Sequence, residues 1–132
     1  MVIDSLKGSA VYGGAAHPPL ILFRRSDRSV HRFENNGIFL GFRASERYSN
    51  IEIPFSAGDR LLLYTDGLIE ASNSAGEAFE GQIDKRIREH ADLTAQEFAD
   101  ALLADLSAWS APKGNYMQED DLTLLVVDVG TK

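Results

Sequence analysis

Two acidic groups stand where chemistry could use them. Asp66 follows the apolar run "LLLY" (61–64), and Asp120-Asp121 precede the apolar run "LTLLVV" (122–127). If the two runs pair as antiparallel neighbours, the end of one lies beside the start of the other. Asp66 and Asp120 then meet at one edge of a sheet. Close carboxylates repel, and burial penalises each charge further. A divalent cation relieves both costs. Mg²⁺ or Mn²⁺ prefers oxygen ligands, needs only one or two protein carboxylates and keeps several waters. A water acidified in this way is the usual nucleophile in phosphoryl hydrolysis. The plainer reading is that Asp66-Gly67 is a turn dipeptide and Asp120 a loop residue before a strand. Residue types and spacing leave both open.

Other chemistry finds less support. His17, in "AAHPPL", has the right type for a ligand or general acid, but Pro18 and Pro19 fix its backbone and favour a loop anchor. His31 and His90 sit among polar residues and take no role. Gly13, Gly14 and "GIFLG" lack the following Lys-Ser/Thr of a phosphate-cradling loop. "YSN" and "SNSAGE" have neither a nearby base nor a nucleophile-elbow pattern. Glu70, just past Asp66, is placed to support a ligand there, but a solvated acid at a helix start is the plainer reading. Without cysteine there are no disulfides or thiolate metal sites, and a reducing compartment is expected. A net charge of −7 argues against nucleic acid as ligand. The basic cluster Arg24, Arg25, Arg28 and Arg32, interrupted by Asp27, reads as the solvated face of a hairpin. No apolar run approaches the roughly 20 residues of a membrane span, and "MVIDSLKGSA" lacks a signal-peptide pattern. A cytoplasmic protein is expected.

The elements that must position these acids follow from periodicity. The first half reads as strands. "MVID" and "AVYGG" form a hairpin around Lys7-Gly8-Ser9, and "PLILFRR" pairs with "SVHRFE" across Ser26-Asp27. "IFLGF" comes after the "ENNG" loop. In "SNIEIPF", Ile51, Ile53 and Phe55 alternate with polar neighbours, and "RLLLYT" suits a central strand. The second half changes period: Ile83 and Ile87 mark a helix over 81–90. Phe98, Leu102, Leu106 and Trp109 mark a stronger one over 94–109, with Thr94 and Glu97 at capping-box spacing. "DLTLLVVDV" returns as a buried strand. With 132 residues, 44% of them hydrophobic, the chain suits one α+β domain spanning 1–132 with its own core.

Taken in order, "VIDSLKGSAVYGGAAHPPLILFR", "GIFLGF", "AGDRLLLYTDGLIEASNSAGEAF" and "EDDLTLLVV" resemble the C-terminal part of the bacterial stage II sporulation E-like phosphatases. These are a branch of the metal-dependent type 2C (PPM-type) serine/threonine phosphatases. The resemblance runs from about Val2 to Val127, and "GDRLLLYTDG" with a terminal "DDLTLL" carries it. It implies an antiparallel β-sandwich flanked by helices, with two Mn²⁺ or Mg²⁺ ions at the sandwich edge. It further implies that Asp66 and Asp120 are metal ligands, that Asp121 supports the loop, and that Gly67 lets the backbone pass close to the metal. The implied substrate is a phosphorylated anti-anti-sigma protein, with a sensor or receiver domain upstream.

The chain also departs from that pattern. The Gly-Gly-Asp-type motif and second Gly-Asp motif of the family, which supply the acid bridging both metals, are absent. Residue 1 falls where a mid-domain strand begins. The usual "NAGHPP" reads "GGAAHPP", with Ala16 at the Gly position. Two expectations follow: the isolated chain has little or no phosphatase activity, and an uncovered sheet edge favours a homo-oligomer. The alternative is a non-catalytic module that keeps the fold for binding a partner.

Overall fold

The computed structural model of the chain describes residues 1–4, 6–34, 36–111 and 121–130. The strands among them are β1 (Val2–Asp4), β2 (Ser9–Tyr12), β3 (Gly14–Ala15), β4 (Leu20–Phe23), β5 (Val30–Phe33), β6 (Asn36–Gly37), β7 (Ile51–Pro54), β8 (Arg60–Tyr64) and β9 (Leu124–Asp128). The helices are α1 (Asp66–Ile69), α2 (Glu80–Glu89) and α3 (Ala95–Ser110). The strands form a four-stranded antiparallel sheet β5-β4-β8-β9, a three-stranded antiparallel sheet β1-β2-β7 and a short parallel pair β3-β6.

Side-chain alternation along the central strands creates the layers. Ile21, Phe23, Leu62 and Tyr64 point to one face of the four-stranded sheet and pack with Ile83, Ile87, Phe98, Leu102 and Leu106 of α2 and α3. Leu20, Leu22 and Leu61 point to the other face and pack with Ala10, Tyr12, Ile53 and Phe55 around the three-stranded sheet. The result is helices on a sheet on a sheet, an α+β arrangement with an antiparallel sandwich. Fully burying each such Leu, Ile or Phe contributes about 1.5–3 kcal/mol.

Polar contacts lock the strand ends. Asp59 is buried and accepts hydrogen bonds from the Ser56 and Arg25 backbone N–H groups at 2.9 and 3.0 Å. Arg60 is buried too: its guanidinium lies 4.4 Å from the Phe98 ring centroid and donates to the Asp128 carboxylate at 2.5 and 2.9 Å. The hairpin arginines are exposed or half-buried but not merely solvated. Arg25 and Arg28 pair with Asp92, and Arg32 pairs with Asp84, fastening the β4–β5 hairpin to the helical layer.

Several expectations change. "IFLGF" forms no strand. Gly41 takes φ +82°, Phe42 N–H closes a turn onto the Phe39 carbonyl at 3.2 Å, and Phe39, Leu40 and Phe42 are exposed. The "ENNG" loop contains β6, which pairs in parallel with β3. Among the described residues the returning strand β9 is an edge rather than a buried element; its side chains are only partly covered and Leu125 is 52% exposed. Glu70 does not start a helix but caps the C-terminal end of α1, a single turn that periodicity does not reveal. No helix among the described residues is long and apolar enough to cross a membrane.

Candidate functional site

Strand β8 delivers Asp66 to the sheet's end, and α1 fixes it there. The Thr65 carbonyl accepts the Leu68 N–H at 3.1 Å and the Asp66 carbonyl accepts the Glu70 N–H at 2.9 Å, turning the chain as soon as the strand stops. Leu68 is fully buried in the helix-side core and Gly67 is buried beside it. The turn is thereby anchored from below while Asp66 stays exposed on top.

The turn reading of Asp66 can be weighed against other acids in this chain. Asp4 holds its turn by accepting the Leu6 and Lys7 N–H groups, each at 3.1 Å. Asp27 accepts the Ser29 N–H at 3.0 Å, and Asp59 serves its turn as described above. The Asp66 carboxylate makes no hydrogen bond or ion pair of this kind among the described residues. It is not what bends the chain.

The expected strand pairing is present. β8 and β9 are antiparallel, with Tyr64 opposite Leu124 at the end of the ladder. Beyond it, Thr65 N–H donates to the Thr123 carbonyl at 3.0 Å. The Thr65 hydroxyl accepts the Thr123 N–H at 2.9 Å and donates to the Asp121 carbonyl at 3.0 Å. The segment from Asp121 to Thr123 is thus brought to the same sheet edge as Asp66. Asp120 itself lies outside the described residues. Asp121 is exposed.

These residues suit a hard divalent cation as far as they go. No group of three or more His, Cys, Asp or Glu side chains gathers among the described residues. Mg²⁺ and Mn²⁺ require no such cage, since one or two carboxylates and several waters suffice. An exposed carboxylate with no protein partner among the described residues, beside a clasped segment that begins at Asp121, matches that donor set.

The remaining candidates have structural work. The His17 ring donates from Nδ1 to the Pro18 carbonyl at 2.8 Å, anchoring its own loop as expected. His90 Nε2 contacts the Asp105 carboxylate at 2.7 Å and ties the end of α2 to α3. Tyr64 faces the helical core, and burial pushes its phenol up from its ordinary value, which keeps it neutral. Sequence reasoning missed Thr65. Its signal was available: threonines at 65 and 123 flank the acids at the facing ends of two apolar runs.

A family model described as Stage II sporulation protein E (SpoIIE) matches residues 1–130. Phosphoserine phosphatase RsbU of Bacillus subtilis (strain 168) is 26% identical over 121 residues, covering 92% of this chain and 35% of that protein. The SiaA-PP2C domain of Pseudomonas aeruginosa superposes with a TM-score of 0.76 at 25% identity, covering 92% of this chain and 47% of that one. The phosphatase domain of the cell fate determinant SpoIIE from Bacillus subtilis, presoaked with Mn, superposes with a TM-score of 0.75 at 19% identity, covering 99% of this chain and 55% of that one. The chain therefore spans about a third of the curated relative and about half of the two solved phosphatase domains.

Proposed function

The chain belongs to the stage II sporulation protein E family, and from that premise we propose that it forms part of a metal-dependent protein serine/threonine phosphatase. Its substrate in this reading is phosphoserine or phosphothreonine on a bacterial regulatory protein of the anti-anti-sigma type. The likeness to a phosphoserine phosphatase supports the reaction class. The single observation that carries the reading for this chain is the Asp66 carboxylate, without a protein partner among the described residues and set at the strand end beside the clasped segment that starts at Asp121.

Asp66 and Asp120 would hold the ion, with Asp121 supporting the loop and Gly67 allowing close backbone approach. Bound Mn²⁺ or Mg²⁺ supplies the Lewis acidity that activates water for attack on a phosphomonoester. The chain's own part is to hold two like charges at one sheet edge, which the β8–β9 pairing and the Thr65 contacts support. An upstream sensor or receiver domain and assembly into a homo-oligomer belong to the same reading, as does a cytoplasmic location. A second reading is a non-catalytic module that keeps the fold and binds a partner protein.

Hydrolysis of p-nitrophenyl phosphate with and without Mn²⁺ separates the two readings. The 132-residue chain is expected to turn over little or nothing. The product of the whole coding region, read in frame ahead of Met1, is expected to show Mn²⁺-dependent turnover that Asp66→Asn abolishes. Turnover indifferent to that substitution, or absent from the whole product, would leave the binding module. Substantial turnover by the 132 residues alone would overturn the expected inactivity.

A further inference from the structure

Thr65 stands at the N-cap of α1 with the extended backbone of that position (φ −89°, ψ 164°), yet its side chain makes no capping hydrogen bond. A threonine there ordinarily turns its oxygen onto the N–H of the second or third helical residue. Here the hydroxyl turns the other way, across to the segment that leads into β9. It donates to the Asp121 carbonyl and accepts the Thr123 N–H, while Thr65 N–H bonds the Thr123 carbonyl. These bonds lie beyond the last ladder pair, Tyr64 and Leu124. Valine or isoleucine would serve a strand end as well, but neither could make both contacts of the hydroxyl.

We propose that Thr65 is a positioning residue of the metal site: its hydroxyl fixes the acid-bearing segment, at Asp121, relative to Asp66. The inference rests on the reading of Asp66 as a ligand. The physical need is clear. Two carboxylate-bearing segments repel when brought together, so something other than the carboxylates must hold them. A neutral hydroxyl bonded to backbone atoms does so without adding charge or occupying a carboxylate oxygen. That agrees with the Asp66 side chain having no protein partner among the described residues.

The test is Mn²⁺ binding by the 132-residue chain, read from the electron paramagnetic resonance signal of free Mn²⁺. Wild type is expected to bind weakly. Thr65→Val should weaken binding by about tenfold, at the low end of the losses that follow removal of groups supporting a metal site from outside its ligands. Thr65→Ser, which keeps the hydroxyl, should bind close to wild type. Thr94→Ala, which removes the N-cap of α3 away from the site, should lower the melting temperature without changing Mn²⁺ affinity. That control separates positioning from general stability. Thr65→Val binding like wild type, while Asp66→Asn does not bind, would overturn the positioning role and leave Asp66 as a ligand. Asp66→Asn binding like wild type, or no binding by wild type at millimolar Mn²⁺, would remove the ligand reading and this inference with it. If Thr65→Val does not fold by circular dichroism, Thr65→Ala against Thr65→Ser gives the same comparison.

Discussion

Ala16 holds a backbone φ of +52°, in the left-handed region. There the Cβ of an L-residue crowds the following carbonyl, at a cost of about 1–2 kcal/mol. The conformation is kept because Ala16 N–H bonds the Gly37 carbonyl at 2.7 Å, joining the β3 and β6 segments. Glycine removes the crowding but loses more freedom on folding, so Ala16→Gly should stabilise the chain by about 0.5–1 kcal/mol. Urea denaturation measures it, and an unchanged or lower midpoint would show the strain to be absent. The sequence exposed this position only as an alanine at the glycine position of the "NAGHPP" pattern it resembles; the reason is a dihedral angle set by a partner 21 residues away. Asp66 is similar. Its type and place were legible in "LLLYTDG", but that its carboxylate holds no turn could be seen only beside Asp4, Asp27 and Asp59, which do.

Helix α3 is the element that sequence described best, because its start and its buried face are both local. Thr94 and Glu97 form the reciprocal capping box that their spacing indicates, and Phe98, Leu102 and Leu106 are buried at helical intervals. The box predicts a pH dependence. Hydrogen bonds from the Thr94 N–H, then from its hydroxyl, hold the Glu97 carboxyl below its ordinary value of 4.5. A depressed folded-state pKa adds stability above the unfolded value and loses it as pH falls through the folded one. Glu97→Gln keeps an acceptor but does not titrate. The melting-temperature advantage of wild type over this variant should therefore be present near neutrality and shrink between about pH 5 and pH 3. An advantage constant across that range would show the carboxylate charge to be irrelevant to the cap. Elements governed by distant contacts were less legible. "IFLGF" has the composition of a strand, yet Gly41 turns the chain there, and the single turn α1 is too short to show a period. The β8–β9 pairing was accessible because two apolar runs with acids at facing ends have few other ways to lie.

At the scale of the molecule, the layers are complete on one side only. α2 and α3 cover one face of the four-stranded sheet, while Val2 and Val11, paired across β1 and β2, leave an apolar patch on the outer face of the three-stranded sheet. Strand β9 ends the four-stranded sheet among the described residues. The bonds between Thr65 and Thr123, and between Asp59 and Val129, fix the odd-numbered β9 residues as those facing β8. In an antiparallel ladder the intervening residues, Leu124, Val126 and Asp128, then aim their N–H and carbonyl groups outward. A groove of about 520 Å³ runs beside this edge, floored by Leu122, Leu124 and Val126 and walled by Ala99 and Leu103 of α3. An apolar edge with outward-facing backbone groups pairs readily with another strand. The same strand of a second copy, running antiparallel, presents complementary groups through a two-fold axis. The chain, of mass 14.5 kDa, should accordingly show a concentration-dependent rise toward twice that mass by light scattering after size exclusion. Leu125, exposed and alternating with Leu124 and Val126, which pack against the helix-side core, is the place to interrupt it. Lysine there leaves the helix-side core untouched but puts a charge on the pairing edge, as natural edge strands do. Leu125→Lys should hold the chain at the monomer mass with its melting temperature little changed. A wild-type chain that stays monomeric at high micromolar concentration, or a variant that associates as strongly, would place the contact elsewhere or remove it.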